Sequence, residues 1–162
     1  VNRAIILMGP RRVGKTVMIW HSIERLINEG VKPQDIFYVS LDLPILHSFS
    51  LDEILDIFLE MNSSGKLEGK YIFFDEIQYL KNWDVHLKTV VDQHKATTFI
   101  ASGSAAGALS RQSTESGAGR FSDFLLPPLT FYEYLDLLNL NEELIDFDTS
   151  SEEQDGPVYF KT

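Results

Sequence analysis

The sequence predicts an α/β fold of three layers, in which a parallel sheet of five strands lies between helices on both faces. Three runs, AIILM at residues 4–8, YIFF at 71–74 and TTFIA at 97–101, are almost continuously apolar, as is typical of strands that are buried on both faces. Segments with apolar residues at helical spacing separate these runs. Strands and helices that alternate in this way indicate parallel strands joined by right-handed crossovers.

The first half of the chain predicts two strands and two amphipathic helices. The strand at 4–8 leads into a glycine-containing loop and a helix, which should end near Gly30 and Pro33 because both are helix stop signals. A second strand is expected at residues 35–41, and another helix follows it. The apolar faces consist of Ile19, Trp20, Ile23, Leu26 and Ile27 in the first helix, and of Leu51, Ile54, Leu55, Phe58 and Leu59 in the second.

The second half predicts the strands at 71–74 and 97–101 and a fifth strand at 123–126. A third helix lies between the first two of these strands, with Asn82 as its predicted cap. The segment SRQSTESGAG at 110–119 has no apolar periodicity and is rich in glycine and serine, so it predicts a mobile loop. The apolar positions of the third helix are Trp83, Leu87, Val90 and Val91.

The last part of the chain predicts one more helix and then a linker. Thr130 and Glu133 form a capping-box pattern that opens a helix through Leu138. Past Asn139 the sequence is acidic and polar, which is more typical of a linker than of a packed element. We therefore expect a core domain at residues 1–139 and an acidic linker at 140–162 that leads to a further C-terminal region.

Composition excludes several classes of protein. With 162 residues and 44% hydrophobic residues, the chain has the size of one globular domain. It contains no cysteine, which excludes disulfides and thiolate metal sites and fits a reducing cytoplasm. Its apolar runs are far shorter than the roughly 20 residues that cross a bilayer. The net charge is −10, and residues 131–162 hold 9 acidic side chains against 1 basic one, so no overall basic surface is available for nucleic acid.

The segment GPRRVGKT at residues 9–16 carries the strongest functional signal. It satisfies the P-loop pattern, GxxxxGK followed by Ser or Thr, and lies between a strand and a helix. Such a loop turns backbone N–H groups toward phosphate oxygens, with a lysine that reaches the β- and γ-phosphates and a hydroxyl that suits Mg²⁺. The alternative is an ordinary glycine turn before a helix. We expect nucleotide contacts from Gly9, Pro10, Arg11, Arg12, Val13, Gly14, Lys15, Thr16 and Val17, although the variable positions that the two arginines occupy more often face solvent.

A pair of acids, Asp75 and Glu76, follows the apolar run YIFF. Buried neighbouring carboxylates are costly without a cation, so we expect Asp75 to hold Mg²⁺ opposite Thr16. Glu76 is then free to orient and deprotonate the water that attacks the γ-phosphate. The alternative is a pair of acids that caps the following helix.

Two further positions are candidates for contact with the γ-phosphate. The strand at 97–101 leads into SGSAAG, where the hydroxyl of Ser102 or Ser104 suits a hydrogen bond to the γ-phosphate or to the attacking water; a simple Ser/Gly turn is the alternative. Arg120 suits the role of an arginine finger that reaches the phosphates bound by a neighbouring subunit. A solvated or salt-bridged arginine explains Arg120 equally well.

These motifs resemble the AAA+ superfamily of P-loop ATPases, and within it a prokaryotic group usually followed by a C-terminal domain of unknown function. The resemblance spans roughly residues 5–135 and depends on GPRRVGKT, FFDEIQYLKNW, FIASGSAAG and the GR…LLPPLTFYEYL segment at 119–135. It implies a P-loop NTPase fold with strand order 5-1-4-3-2, Glu76 as the water-activating acid, Arg120 near the finger position and a preference for adenine. The chain departs from the superfamily in two ways: no helical lid follows the core, and Ser102 and Ser104 replace the common asparagine.

The leading hypothesis is an ATPase core domain that binds ATP or ADP with Mg²⁺ and couples hydrolysis to conformational change in attached domains. Its expected catalytic residues are Lys15, Glu76 and Arg120, the last through a homo-oligomer. A C-terminal domain outside this sequence would bind a protein or DNA partner. The alternatives are a nucleotide-gated switch with negligible turnover and a small-molecule kinase, for which the sequence shows no acceptor-binding constellation.

Overall fold

A computed structural model describes residues 3–62, 65–103 and 119–140, together with the backbone of two short strands at 145–147 and 158–160. None of the described helices is both long and apolar enough to cross a membrane. In chain order the elements are β1 (Ala4–Met8), α1 (Lys15–Asn28), β2 (Ile36–Ser40), α2 (Leu51–Asn62), β3 (Tyr71–Asp75), α3 (Trp83–Gln93), β4 (Thr98–Gly103), β5 (Phe121–Leu125), α4 (Phe131–Leu137), β6 (Ile145–Phe147) and β7 (Val158–Phe160).

Five parallel strands form one sheet in the order β2-β3-β4-β1-β5. Read from the other edge, this is the predicted order 5-1-4-3-2, and the predicted α/β fold class is confirmed. The register sets Met8 opposite Gly103 and Leu125, and Ser40 opposite Asp75. The carboxyl ends of all five strands therefore meet at one edge of the sheet, where ligands bind in this kind of architecture.

Helices cover both faces of this sheet. Residues at alternate strand positions point to opposite faces, and on one face Ile19 and Ile23 of α1 pack in a cluster with Leu7, Phe73 and Ile100. The other face packs against α2 and α3 in a larger cluster. Its members include Ile6, Leu51, Leu55, Ile72, Phe74, Leu87, Val90 and Phe99. Both clusters bury apolar surface, which is the main favourable contribution to folding.

The predicted boundaries differ from the observed ones by a few residues at the strand ends. The fourth strand continues to Gly103 and the fifth begins earlier, at Phe121. Asn82 precedes α3 as predicted, but it adopts a left-handed conformation with φ of 54° and its side chain forms no capping hydrogen bond within the described residues. Of the predicted loop at 110–119, only Gly119 lies within the described residues.

Residues 128–162 form a second compact unit. The predicted capping box is confirmed at α4, where the Thr130 hydroxyl accepts from the Glu133 N–H and the Glu133 carboxylate accepts from the Thr130 N–H. β6 and β7 pair antiparallel, with Asp146 opposite Tyr159. The acidic, polar sequence predicted a linker here rather than this ladder, because strands of three residues are too short to show a period. The domain boundary at residue 139 stays a prediction.

Candidate nucleotide-binding site

The loop between β1 and α1 lies at the carboxyl edge of the sheet. β1 ends at Met8 and α1 begins at Lys15, so the loop comprises residues 9–14. Gly9 has to be glycine, because a Cβ there would lie 2.4 Å from the carbonyl oxygen of Leu126. Leu126 also donates its N–H to the Met8 carbonyl at 2.7 Å. The chain that follows β5 thus fixes the point where the loop leaves the sheet.

The amino end of α1 is open to an anion. Gly14, which precedes the helix, has a φ of 93°, a conformation that favours glycine. It supplies no side-chain cap, and the first turn of α1 contains no acidic residue. The first N–H groups of the helix therefore lack a side-chain acceptor among the described residues, while the helix dipole places partial positive charge on them. A phosphate suits such a position.

Lys15 brings a positive charge to the same place. The residue is only 5% exposed, and its Nζ donates to the carbonyl oxygens of Gly9 at 3.0 Å and Pro10 at 2.7 Å. In the described part of the chain no carboxylate forms an ion pair with it. Because a buried charge is costly without a counter-charge, the loop holds an ammonium group ready for an anionic ligand.

Two adjoining cavities open beside the loop. One, of about 260 Å³, is lined by Arg12, Gly14, Lys15, Thr16, Val17 and Glu76. The other, of about 310 Å³, is lined by Arg11, Arg12, Asp42, Glu76 and Tyr79. A larger cavity of about 470 Å³ lies at the amino edge of the sheet, around residues 65–68 and 93–97. That cavity contains neither the glycine loop nor the carboxylate pair, so we place the functional site at the carboxyl edge.

Asp75 ends β3 as a buried carboxylate that accepts four hydrogen bonds. It is 2% exposed. Its Oδ2 accepts from the Thr16 hydroxyl at 2.8 Å and from the Tyr38 hydroxyl at 3.0 Å. Its Oδ1 accepts from the Ser102 hydroxyl and from the Glu76 N–H. Four donors, all of them neutral, thus bind its two oxygens.

The same carboxylate changes the acidity of its neighbour on β2. Burial raises the pKa of Tyr38 to about 12, and the negative charge of Asp75 and the hydrogen bond to it act in the same direction. Tyr38 therefore remains a protonated phenol, and a donor, throughout the neutral range. Tyr38 was not among the predicted site residues, since no spacing pattern relates a tyrosine on β2 to an acid 37 positions later.

Thr16 and Asp75 form a donor set that fits Mg²⁺. The Thr16 hydroxyl gives its hydrogen to Asp75, which leaves the oxygen lone pairs available to a cation. Hydroxyl and carboxylate oxygens are hard ligands of the kind that Mg²⁺ prefers. No group of three or more His, Cys, Asp or Glu within the described residues would hold a metal. A magnesium ion here would therefore need phosphate oxygens and water to complete its coordination.

Glu76 occupies a strained position between the two cavities. Its backbone is left-handed, with φ of 55° and ψ of 44°, a conformation that costs about 1 kcal/mol or more for a residue other than glycine. Its carboxylate accepts a hydrogen bond from the Gln78 amide. Glu76 lines both cavities, as does Arg12.

The two serine candidates have different outcomes. Ser102 is fully buried, and its hydroxyl donates to Asp75 while it accepts from the Glu76 N–H at 3.2 Å. The structure therefore brings Ser102 to the carboxylate pair rather than to the open cavity, because it lies on β4 directly beside the end of β3. Ser104 lies outside the described residues.

Arg120 lies at the opposite end of the sheet from the loop. Its carbonyl accepts from the Ala4 N–H at 2.8 Å, which places it at the amino end of β1. At about 3.3 Å per residue, the strand separates it by about 17 Å from the level of the loop. Its side chain forms an ion pair of 2.5 Å with Asp92. Arg120 does not reach the phosphate site of its own chain.

The comparisons with known proteins agree with this geometry. A family whose model is described as an AAA domain matches residues 1–135. Two uncharacterized proteins of Methanocaldococcus jannaschii are similar to the chain. One is 31% identical over 86% of the chain and 30% of its own length. The other is 33% identical over 81% of the chain and 27% of its own length. An uncharacterized protein of Haemophilus influenzae is 25% identical over 85% of the chain and 34% of its own length. The chain thus spans about a third or less of these relatives.

A solved structure is similar in fold. The Aeropyrum pernix ORC1 protein, determined in complex with DNA, superposes on 87% of this chain and 44% of its own length, with a TM-score of 0.57 and 16% sequence identity. At that identity the match is evidence for the fold alone.

Proposed function

The chain belongs to this family of AAA domains and is an ATP-binding domain, and from that premise we propose that it hydrolyses ATP with Mg²⁺. We propose further that hydrolysis drives conformational change in attached parts of a longer protein. The observation that carries the proposal is the junction of Lys15, Thr16, Asp75 and Glu76 at one edge of the sheet. Lys15, Thr16 and Glu76 line one cavity there, and Thr16 donates a hydrogen bond to the buried Asp75.

Binding would begin with the loop and the amino end of α1. The loop amides and the first N–H groups of α1 bind phosphate oxygens, with Lys15 as the mobile cation. Lys15 would exchange its bonds to Gly9 and Pro10 for the β- and γ-phosphates. That exchange replaces neutral acceptors with charged ones, which form stronger hydrogen bonds. Arg11 and Arg12 border the cavity beside the loop and would add positive charge there.

Magnesium would be held by Thr16 and by Asp75, and bound there it neutralises charge that develops on the phosphates. The Thr16 hydroxyl would keep its hydrogen on Asp75 and offer its oxygen to the metal. Asp75 would hold the metal directly or through water. Ser102 and the Glu76 N–H bind the second oxygen of Asp75.

Glu76 is the proposed base. It would orient the attacking water and accept its proton as the bond from the β,γ-bridging oxygen to the γ-phosphorus breaks. Its carboxylate must leave the Gln78 amide, or share it, in order to face that water. The product is ADP with inorganic phosphate.

The proposed roles of Arg120 and of the attached domains require a neighbouring copy or the rest of the longer protein. Because Arg120 lies far from the loop of its own chain, its proposed partner is nucleotide bound by a neighbouring copy. Release of Asp92 would free the guanidinium for that contact. Because the relatives are about three times as long as this chain, a protein or DNA partner would be bound by the remaining part of the longer protein.

The experiment compares ATP turnover and ATP binding in wild type and Glu76→Gln. The substitution keeps the shape of the side chain and removes the base, so turnover should fall at least about a hundredfold while ATP binding persists. Glu60→Gln, on the exposed side of α2, is the matched control and should behave as wild type. Undiminished turnover in Glu76→Gln would sink the hydrolytic assignment.

The same data separate the proposal from the nucleotide-gated switch. The contact of Gln78 with Glu76 favours a slow resting state, because it engages the carboxylate that would act as base. A switch predicts that wild type itself binds ATP tightly and releases no phosphate, even when the protein is concentrated enough to assemble.

A further inference from the structure

Tyr38 stands out as a polar group that the proposed chemistry does not use. It lies on β2, at the edge of the sheet, opposite Phe73 in the parallel register. Its side chain is on the α1 face, and its hydroxyl reaches the Oδ2 atom of Asp75 at 3.0 Å. Of the two oxygens of Asp75, Oδ2 is the one that also accepts from Thr16. Tyr38 therefore touches the carboxylate oxygen nearest to the proposed metal position.

We infer that Tyr38 is a positioning residue that holds Asp75 in the orientation required for magnesium. The inference rests on the proposed function, because it concerns the same carboxylate. A carboxylate rotates easily about its last side-chain bond, since that torsion has a broad minimum. Rotation would move Oδ2 away from Thr16. The Tyr38 hydroxyl opposes this rotation from β2, while Ser102 does so from β4.

The surroundings of Tyr38 keep its hydroxyl in place. The Trp20 ring of α1 lies over the Tyr38 ring, with centroids 4.4 Å apart and an angle of 38° between the planes. Trp20 is 49% exposed, so it covers the tyrosine from the solvent side. Because α1 also carries Thr16, the helix that contacts Asp75 directly also orients the second donor. A phenol has only two side-chain torsions, so little further ordering is needed when a nucleotide binds.

A donor on Oδ2 has two opposed effects on a metal. It draws electron density from the oxygen, which weakens attraction to a cation, and it removes the freedom of the carboxylate, which strengthens binding. Asp75 is 2% exposed, so bulk solvent does not supply a fixed donor in place of the phenol. The ordering effect should therefore prevail, and loss of the hydroxyl should weaken magnesium binding.

The test measures magnesium binding without turnover. A fluorescent ADP analogue is bound to the chain, and MgCl₂ is titrated into wild type, Tyr38→Phe and Tyr71→Phe. Tyr71, at the amino end of β3, packs in the same cluster as Tyr38 and controls for loss of a tyrosine hydroxyl on this face. Tyr38→Phe should raise the half-saturating Mg²⁺ concentration about three- to tenfold, the effect of one net hydrogen bond. Affinity for the analogue in EDTA should be unchanged, which would also show that the variant is folded.

The outcomes distinguish this inference from the function on which it rests. A half-saturating Mg²⁺ concentration that is equal or lower in Tyr38→Phe overturns the positioning role, and a rise of the same size in Tyr71→Phe does so too. A wild type in which Mg²⁺ has no effect on analogue binding overturns the magnesium part of the proposed function, and the inference with it. Trp20→Leu, which uncovers the tyrosine, should shift the magnesium requirement in the same direction as Tyr38→Phe by a smaller factor.

Discussion

Replacing Gly9 by alanine should destabilise the loop by more than the cost of placing alanine in the backbone conformation of Gly9, because the added Cβ also meets a neighbouring segment. The added Cβ would lie 2.4 Å from the Leu126 carbonyl oxygen and 3.2 Å from Cγ2 of Val13. The carbonyl belongs to the backbone that the Leu126 N–H ties to Met8, so it cannot turn aside as a flexible side chain would. Either the start of the loop or the end of β5 has to move.

The expected loss of stability follows from comparison with Gly30, which lies just after the end of α1. Gly30 has a φ of 92° and nothing within 4 Å of an added Cβ, so Gly30→Ala carries only the cost of a left-handed alanine, about 1 kcal/mol. Gly9→Ala, at φ of 156°, adds an overpacking cost of about 1–3 kcal/mol. The free energy of unfolding should therefore fall by about 2–4 kcal/mol.

Chemical denaturation monitored by circular dichroism measures both variants, and an ATP titration shows whether the loop still binds nucleotide. We expect Gly9→Ala to lose more stability than Gly30→Ala and to bind ATP more weakly, while Gly30→Ala keeps wild-type affinity. If the two variants unfold at the same denaturant concentration, the close approach of the chain after β5 does not hold the loop.

Two further predictions concern charge. In the folded chain the pKa of Tyr38 is raised from 10.0 to about 12. Between these pH values the unfolded chain loses a proton that the folded chain keeps, so the free energy of unfolding falls as pH rises. Over that range, denaturation midpoints should decline more steeply in wild type than in Tyr38→Phe. Arg120→Ala should leave ATP affinity unchanged in dilute protein, because the arginine lies at the far end of the sheet. The substitution should lower turnover, measured by phosphate release, only at protein concentrations at which light scattering shows that the chain self-associates.

Much of the fold and of the loop could be predicted from the sequence because their signals are local. The strands β1, β3 and β4 are buried on both faces and read as apolar runs, and the loop at residues 9–16 combines glycines, a lysine and a hydroxyl within eight positions. Asp75 and Glu76 follow the end of an apolar run directly. The strand order came from resemblance to a family rather than from these patterns.

The network around Asp75 could not be predicted, because register across the sheet creates it. Tyr38 and Ser102 reach Asp75 from two neighbouring strands, at separations that leave no pattern in the sequence. The hydrogen bond from Ser102 to Asp75 and the ion pair of Arg120 with Asp92 likewise depend on where distant segments meet. Asn82 has the right residue type for a cap, but its left-handed backbone directs the side chain elsewhere.

Calorimetric titration of ATP with Mg²⁺ into wild type and Lys15→Ala tests the central claim most directly. Lys15 is the buried cation of the loop, so its removal should weaken binding at least about tenfold, the effect of about 1.4 kcal/mol. Lys95→Ala, an exposed lysine at the amino edge of the sheet, should bind as wild type does. Equal affinity in wild type and Lys15→Ala would contradict the assignment of the phosphate site to this loop.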